Sequence, residues 1–129
     1  MSLWTPILEI DGKRYQRICR SEEVLSSRAR AAQLETGEEI ALFRLASGEC
    51  KAFSNVCLHL KLPVLADGMV DLDRNTVTCP LHGWCYSLEN GAVQGGGNAR
   101  LQEFAVVEQD GWIFVQLPED TFELPEWLR

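Results

Sequence analysis

Two short segments of this sequence carry side chains able to bind a metal. The first reads Cys57-Leu58-His59 and the second Cys79-Pro80-Leu81-His82-Gly83-Trp84, a C-x-H and a C-x-x-H pattern. The chain has 2 histidines, and each stands beside a cysteine in a loop at the end of a predicted strand. A thiolate is a soft, charged donor and a neutral imidazole a borderline one. Two of each can therefore close a four-ligand zinc site or cap the irons of a 2Fe-2S unit. Zinc sites more often use C-x-x-C or H-x-x-x-H spacings, in which both ligands of a knuckle suit one tetrahedral ion. Here each loop mixes a cysteine with a histidine. Two such loops facing each other across a diiron rhomb would let both sulfurs bind one iron and both imidazoles the other. On donor types alone, both metals stay open.

The elements that must hold these loops are short and extended. Turn signals at Asp11-Gly12, Thr36-Gly37, Ser47-Gly48, Asn90-Gly91 and Asp110-Gly111 separate brief β-favouring runs. Strands are expected over 7–10, 14–18, 29–34, 40–45, 51–53, 76–78, 101–108 and 112–117. Several of them would form hairpin pairs, as in an all-β domain. The one early helical turn expected, over 22–25, has Ser21 as its N-cap and no capping box, because Val24 occupies the third position. Two stretches break the β pattern, 55–68 and 79–91, and each carries one Cys-His pair.

A chain of 129 residues with 46% hydrophobic and 24% charged residues suits a single globular core. No repeat, low-complexity linker or composition break divides it. The expected organisation is an N-terminal extension or extra strand over 1–14, the main domain over 15–117, and a tail over 118–129. In that tail Phe122, Leu124, Trp127 and Leu128 alternate with acidic residues and are expected to pack on the domain. No apolar run approaches the roughly 20 residues that span a bilayer, and the N-terminus lacks a signal-like pattern. A cytoplasmic protein without a membrane partner is expected.

The net charge is 12 − 19 = −7, and the basic residues do not gather, which argues against nucleic acid. The acidic balance suits docking on a basic partner as well as plain solubility. Five cysteines are an odd number, so metal binding is expected before disulfides. Cys19, Cys50 and Cys85 lie outside the motif and are read as small packing residues.

In these two loops the chain resembles the Rieske 2Fe-2S domains. Pro63, Asp67-Gly68, Pro80, Gly83 and Asn90-Gly91 stand where the family has such residues, and the resemblance covers about 15–117. It implies an all-β, Rieske-type antiparallel β-sandwich with a small cluster-binding subdomain formed by two loops. It also implies one 2Fe-2S cluster per chain, with Cys57 and Cys79 on the inner iron and His59 and His82 on the solvent-facing one. The histidines would then serve as electron exits, ringed by Leu60, Lys61, Leu62 and Trp84 as a partly apolar docking surface.

The chain also departs from the family. High-potential members join the loops by a disulfide, and Leu62 and Leu81 occupy those positions. Trp84 replaces a serine that donates to the cluster, while Tyr86 keeps the tyrosine position. Lys61 replaces a glycine, and Gly95-Gly96-Gly97-Asn98 takes the place of a proline-bearing third loop. Two neutral imidazoles raise the potential above that of all-cysteine clusters. With fewer donors on the sulfurs, a value at the low end of the roughly −150 to +300 mV Rieske range is expected.

The function this implies is one-electron transfer by a soluble ferredoxin or electron-transfer subunit. It would be the small subunit of an NAD(P)H nitrite reductase or the ferredoxin component of a ring-hydroxylating dioxygenase. The strand from Ile40 to Arg44 and the second loop lean toward the former. The expected partner is a redox protein: a reductase, a terminal oxygenase or a nitrite reductase large subunit. The alternative is a zinc-stabilised interaction module without catalysis. A terminal oxygenase needs a further mononuclear iron held by two histidines and a carboxylate. Both histidines are committed to the loops and the chain is short for a substrate domain, so activity without a partner is not expected.

Overall fold

Paired residues at positive φ set the hairpins. In the computed structural model, which describes residues 7–26, 28–58, 62–81, 83–95 and 97–118, Asp11 and Gly12 have φ of 51° and 78°. This type I′ geometry matches the twist of the strands it joins. It links β1 (Ile7–Ile10) to β2 (Lys13–Arg20). Asp110 and Gly111, with φ of 56° and 81°, do the same between β10 (Val106–Gln109) and β11 (Trp112–Gln116). β11 also pairs with β2, giving a first antiparallel sheet in the order β1-β2-β11-β10.

The second sheet joins β3 (Arg30–Gln33), β4 (Glu39–Arg44), β5 (Cys50–Ser54) and β9 (Glu103–Phe104), in that order. It is the middle layer. In β4, Ile40 and Leu42 face the first sheet, where they meet Cys19, Ile113 and Val115 in a first core. Ala41 and Phe43 point to the other side, into a second core with Phe53, Leu65, Val77 and Tyr86. Burial on both faces explains why β4 reads as an unbroken apolar run instead of an alternation. Phe43 and Phe53 pack tilted, with ring centroids 6.1 Å apart.

The second core is closed by a third antiparallel sheet of β6 (Met69–Asp71), β7 (Thr76–Thr78) and β8 (Cys85–Ser87). The all-β expectation holds, with all three sheets antiparallel. The part expected as a subdomain of two loops is this sheet with the two loops on it; of its strands, the sequence reading has β7 and lacks β6 and β8. The strand expected over 101–108 is two strands, broken at Ala105, because β9 pairs with β5 and β10 with β11. The helical turn is a 3-10 turn at Ser21–Glu23, one residue earlier than expected. The Arg20 N–H donates to the Glu23 carboxylate at 2.8 Å, so Glu23 supplies the capping acid. Among the described residues no helix is long and apolar enough to cross a membrane.

Cys19 and Cys50 lie in the first core, where burial pushes both thiols up from an ordinary value of 9.0, Cys50 to about 12. Raised values in the folded state mean that their stabilising contribution is complete below pH 9 and is lost as pH rises toward 12. The slope is at most about 1.4 kcal/mol per pH unit for each thiol. Denaturant titrations from pH 8 to 11 should show this decline. At pH 8 iodoacetamide should label the half-buried Cys85 of the native protein well before Cys19 or Cys50, as read by mass spectrometry.

Candidate metal centre

The first loop leaves the end of β5 and is folded back by one side chain. Asn55, 5% exposed, donates from Nδ2 to the Pro63 carbonyl at 3.2 Å and accepts the Ala66 N–H on Oδ1 at 2.6 Å. Its backbone carbonyl accepts the Leu65 N–H at 3.1 Å. These bonds clamp the two ends of the loop together. Inside the clamp, the Cys57 N–H donates to the Leu62 carbonyl at 2.9 Å. Past a 3-10 turn at Leu65–Asp67, Gly68 lies so close to β7 that a Cβ there would stand 2.5 Å from the Thr78 carbonyl oxygen. That approach seats the exit of the first loop against the residue before Cys79, and it requires glycine.

The second loop is a tight reversal between β7 and β8. The Cys79 N–H donates to the Trp84 carbonyl at 2.7 Å, and the Gly83 N–H to the Cys79 carbonyl at 3.1 Å. Gly83, at φ 73°, supplies the left-handed residue the reversal needs.

Both cysteines end in the second core, Cys57 0% and Cys79 1% exposed. The remaining predicted ligands, His59 and His82, lie outside the described residues, as do Leu60 and Lys61 of the expected docking surface. Leu62 and Leu81, one in each loop, are 46% and 51% exposed. Trp84 is half-buried against the second core. Among the described residues no group of three or more His, Cys, Asp and Glu gathers to hold a metal, so the cysteine pair is the described part of the donor set.

Tyr86 of β8 joins the two loops. Its hydroxyl accepts the Leu58 N–H at 3.3 Å and lies 3.5 Å from Cys57 Sγ. Were Cys57 a metal-bound thiolate, which can only accept, the Tyr86 hydroxyl would be the donor. Burial and the adjacent Cys57 raise the hydroxyl well above its ordinary value, which keeps it a donor at neutral pH.

These residues suit a cationic inorganic group. Two cysteine sulfurs buried in one core are soft donors for a metal, and a hydroxyl beside one of them is a typical partner of a metal-bound thiolate. Tyr86→Phe is expected to lower the one-electron potential of the loaded protein by about 40 mV, the equivalent of ~1 kcal/mol for one hydrogen bond. Protein-film voltammetry checks it, and an unchanged potential would mean that the hydroxyl does not act on the sulfur. Asn55 and Gly68 carry no metal-binding chemistry. Only their places, two residues before a ligand and at a turn, signal them in the sequence.

Comparison with known proteins gives the same picture. The family described as Rieske [2Fe-2S] domain matches residues 14–110. Among curated relatives, cholesterol 7-desaturase nvd of Hemicentrotus pulcherrimus is 33% identical over 89 residues, covering 61% of this chain and 19% of its own length. Nitrite reductase [NAD(P)H] of Emericella nidulans is 31% identical over 96 residues, covering 68% of this chain and 9% of its own length. The chain thus spans less than a quarter of the curated relatives it matches.

Among solved structures, one from Mycobacterium tuberculosis assigned as an NADH-dependent nitrite reductase small subunit superposes with a TM-score of 0.74 at 23% identity, over 85% of this chain and 98% of the other. The Sphingomonas yanoikuyae B1 ferredoxin gives 0.71 at 25%, over 79% and 97%. A chain from a complex of reduced oxygenase and oxidized ferredoxin in carbazole 1,9a-dioxygenase gives 0.68 at 20%, over 77% and 98%.

Proposed function

Because the chain belongs to the Rieske 2Fe-2S domain family, we propose that Cys57, His59, Cys79 and His82 hold one 2Fe-2S cluster per chain and that the protein passes single electrons between redox partners. It is an electron-transfer domain similar to dioxygenase ferredoxins and nitrite reductase small subunits. The observation that supports the assignment of ligands is the burial of Cys57 and Cys79 in one core, with Tyr86 reaching from β8 to the sulfur of the first loop. When bound, the cluster supplies a one-electron couple that needs no proton on the cysteine side. The chain's own residues do the rest. Leu65, Val77 and Tyr86 exclude water from the cysteine side, and Tyr86 donates to the sulfur. Leu62 and Leu81 flank the two histidines in sequence and offer apolar surface where a partner would dock.

The partner we propose is a reductase on one side and a terminal oxygenase or nitrite reductase large subunit on the other. Ferredoxins of this fold form complexes with the oxygenase in carbazole 1,9a-dioxygenase, which supports the reading. A cytoplasmic place is supported by Cys19, Cys50 and Cys85, none of them in a disulfide. We retain the division into 1–14, 15–117 and 118–129. Anaerobic purification followed by iron and sulfide analysis, with EPR of the reduced protein, tests the assignment. Brown protein with iron and labile sulfide in equal amounts, and a potential near the low end of the roughly −150 to +300 mV range, is expected. A colourless protein containing zinc would overturn it in favour of the interaction module.

A further inference from the structure

Arg17 and Arg20 of β2 are three residues apart, a spacing that in a regular strand sends side chains to opposite faces. The strand is not regular there. Cys19 pairs with Ile113 and Arg17 with Phe114, so Ile18 is an extra residue, a β-bulge. The bulge brings both arginines to the face turned away from the first core, where Trp112 stands directly opposite Arg20. Their guanidiniums stack on the Trp112 ring, 4.1 and 4.5 Å from its centroid. Gln109, paired with Trp112, continues the row onto β10. Lys13, four residues before Arg17, extends the positive charge along β2 on the same face. Cations that look scattered in the sequence are therefore gathered by the strand.

Two like charges against one ring repel each other, and the sheet does not offset them. Among the described residues neither guanidinium has an ion pair or a hydrogen-bond acceptor. The strand acids Glu9 and Glu108 alternate to the other side. Glu108 binds Arg44 at 2.7 Å, and Glu23 takes the Arg20 backbone N–H and pairs with Arg30. We propose that the Arg17–Trp112–Arg20 stack docks a carboxylate-rich segment of a partner protein. A guanidinium fork matches a carboxylate bidentately, and stacking on the ring fixes its plane before binding. Tryptophan and arginine are also the residue types that dominate protein contacts. The net charge of −7 repels an extended phosphate backbone beyond this patch, whereas a short run of carboxylates spans the patch alone. The first core and the middle sheet separate the stack from Cys57 and Cys79, so a partner held here leaves both loops open. None of these residues belongs to the second core, so docking here is independent of which metal the loops hold.

Hexaglutamate with blocked ends, titrated into the full-length, metal-loaded protein at about 0.15 M salt, tests the proposal; there the net charge is screened beyond about 8 Å. The Trp112 indole N–H and the Arg17 and Arg20 Nε–H signals are expected to shift saturably in NMR spectra, with the EPR signal unchanged. Arg17→Gln and Arg20→Gln should each weaken binding about tenfold, the worth of one charge-assisted contact. Arg17→Lys, which keeps the charge and loses the fork, should fall between. Absence of any shift, or parent-like affinity in both glutamine variants, would overturn the proposal. Tighter binding of hexathymidylate at the same salt would overturn it in favour of nucleic acid. Nuclear Overhauser contacts from either guanidinium to a glutamate or aspartate in the peptide-free monomer would overturn it in favour of intramolecular pairing. The acids of the tail, Glu119, Asp120, Glu123 and Glu126, and its Phe122, Leu124, Trp127 and Leu128 lie outside the described residues, and this last measurement includes them.

Discussion

Cys79→Ala, and equally Cys57→Ala, is expected to give a colourless chain that keeps one half of its structure and loses the other. The sulfur removed sits in the second core, 1% exposed at Cys79 and 0% at Cys57. No remaining described side chain can replace it, since Cys85 points from β8 to the opposite face from Tyr86. Metal affinity is folding free energy for whatever the metal holds together. The third sheet has strands of three residues and packs on the core that contains both cysteines, whereas the first core is built from Ile40, Leu42, Ile113 and Val115 without either. Amides of β6, β7 and β8 should therefore exchange on the order of 100-fold faster, as expected when a ligand worth ~2.7 kcal/mol is lost, with those of β2, β4 and β11 little changed. Iron should fall below a tenth of the parent's content, while Cys85→Ala keeps its colour. Full iron retention in either ligand variant would remove that cysteine from the site.

The same division explains which features could be read from the sequence. Strands 7–10 and 76–78 are found where expected, because turn residues bracket them and they are rich in β-branched residues. β6 and β8 could not be read. Met69-Val70-Asp71 and Cys85-Tyr86-Ser87 place one side chain each on the inner face, too little for a period to register. The C-x-H and C-x-x-H pattern stands out because four residues of rare type fall in two short segments, and the place of Tyr86 followed from family resemblance. Its path to Cys57 was not legible, since that depends on β8 pairing with β7 and closing over the core. The 3-10 turn was displaced because Ser21 is the better capping residue by type, yet Glu23 can reach the Arg20 N–H and does.

Asn55 is the least conspicuous of these residues in sequence, and its loss is expected to cost the most of any residue that is not a ligand. Asn55→Ala removes both side-chain hydrogen bonds of the first loop and leaves the Ala66 N–H and the Pro63 carbonyl without that partner. Ala66 is half-buried and Pro63 exposed. At about 0.5–1.5 kcal/mol for a lost hydrogen bond, and up to about 3 for the more shielded Ala66 N–H, the total is some 1–4 kcal/mol out of a typical 5–15. A loss of ~3 kcal/mol corresponds to a fall in Tm of about 12 °C for a domain of this size. The effect on the site should be larger than on the fold, because the clamp closes the stretch that presents Cys57 and His59. Removing such outer-shell support typically weakens metal retention about 10- to 100-fold, to be read as the rate of iron release to a chelator. Asn55→Asp separates the two bonds. It keeps an acceptor for the Ala66 N–H but sets a carboxylate oxygen against the Pro63 carbonyl, where the amide donated. If the clamp acts through both bonds, Asn55→Asp should release iron nearly as fast as Asn55→Ala. If the aspartate variant kept iron like the parent, the Ala66 bond would suffice to hold the loop. Parent-like retention in both variants would show that Asn55 fills space and does not position the ligand.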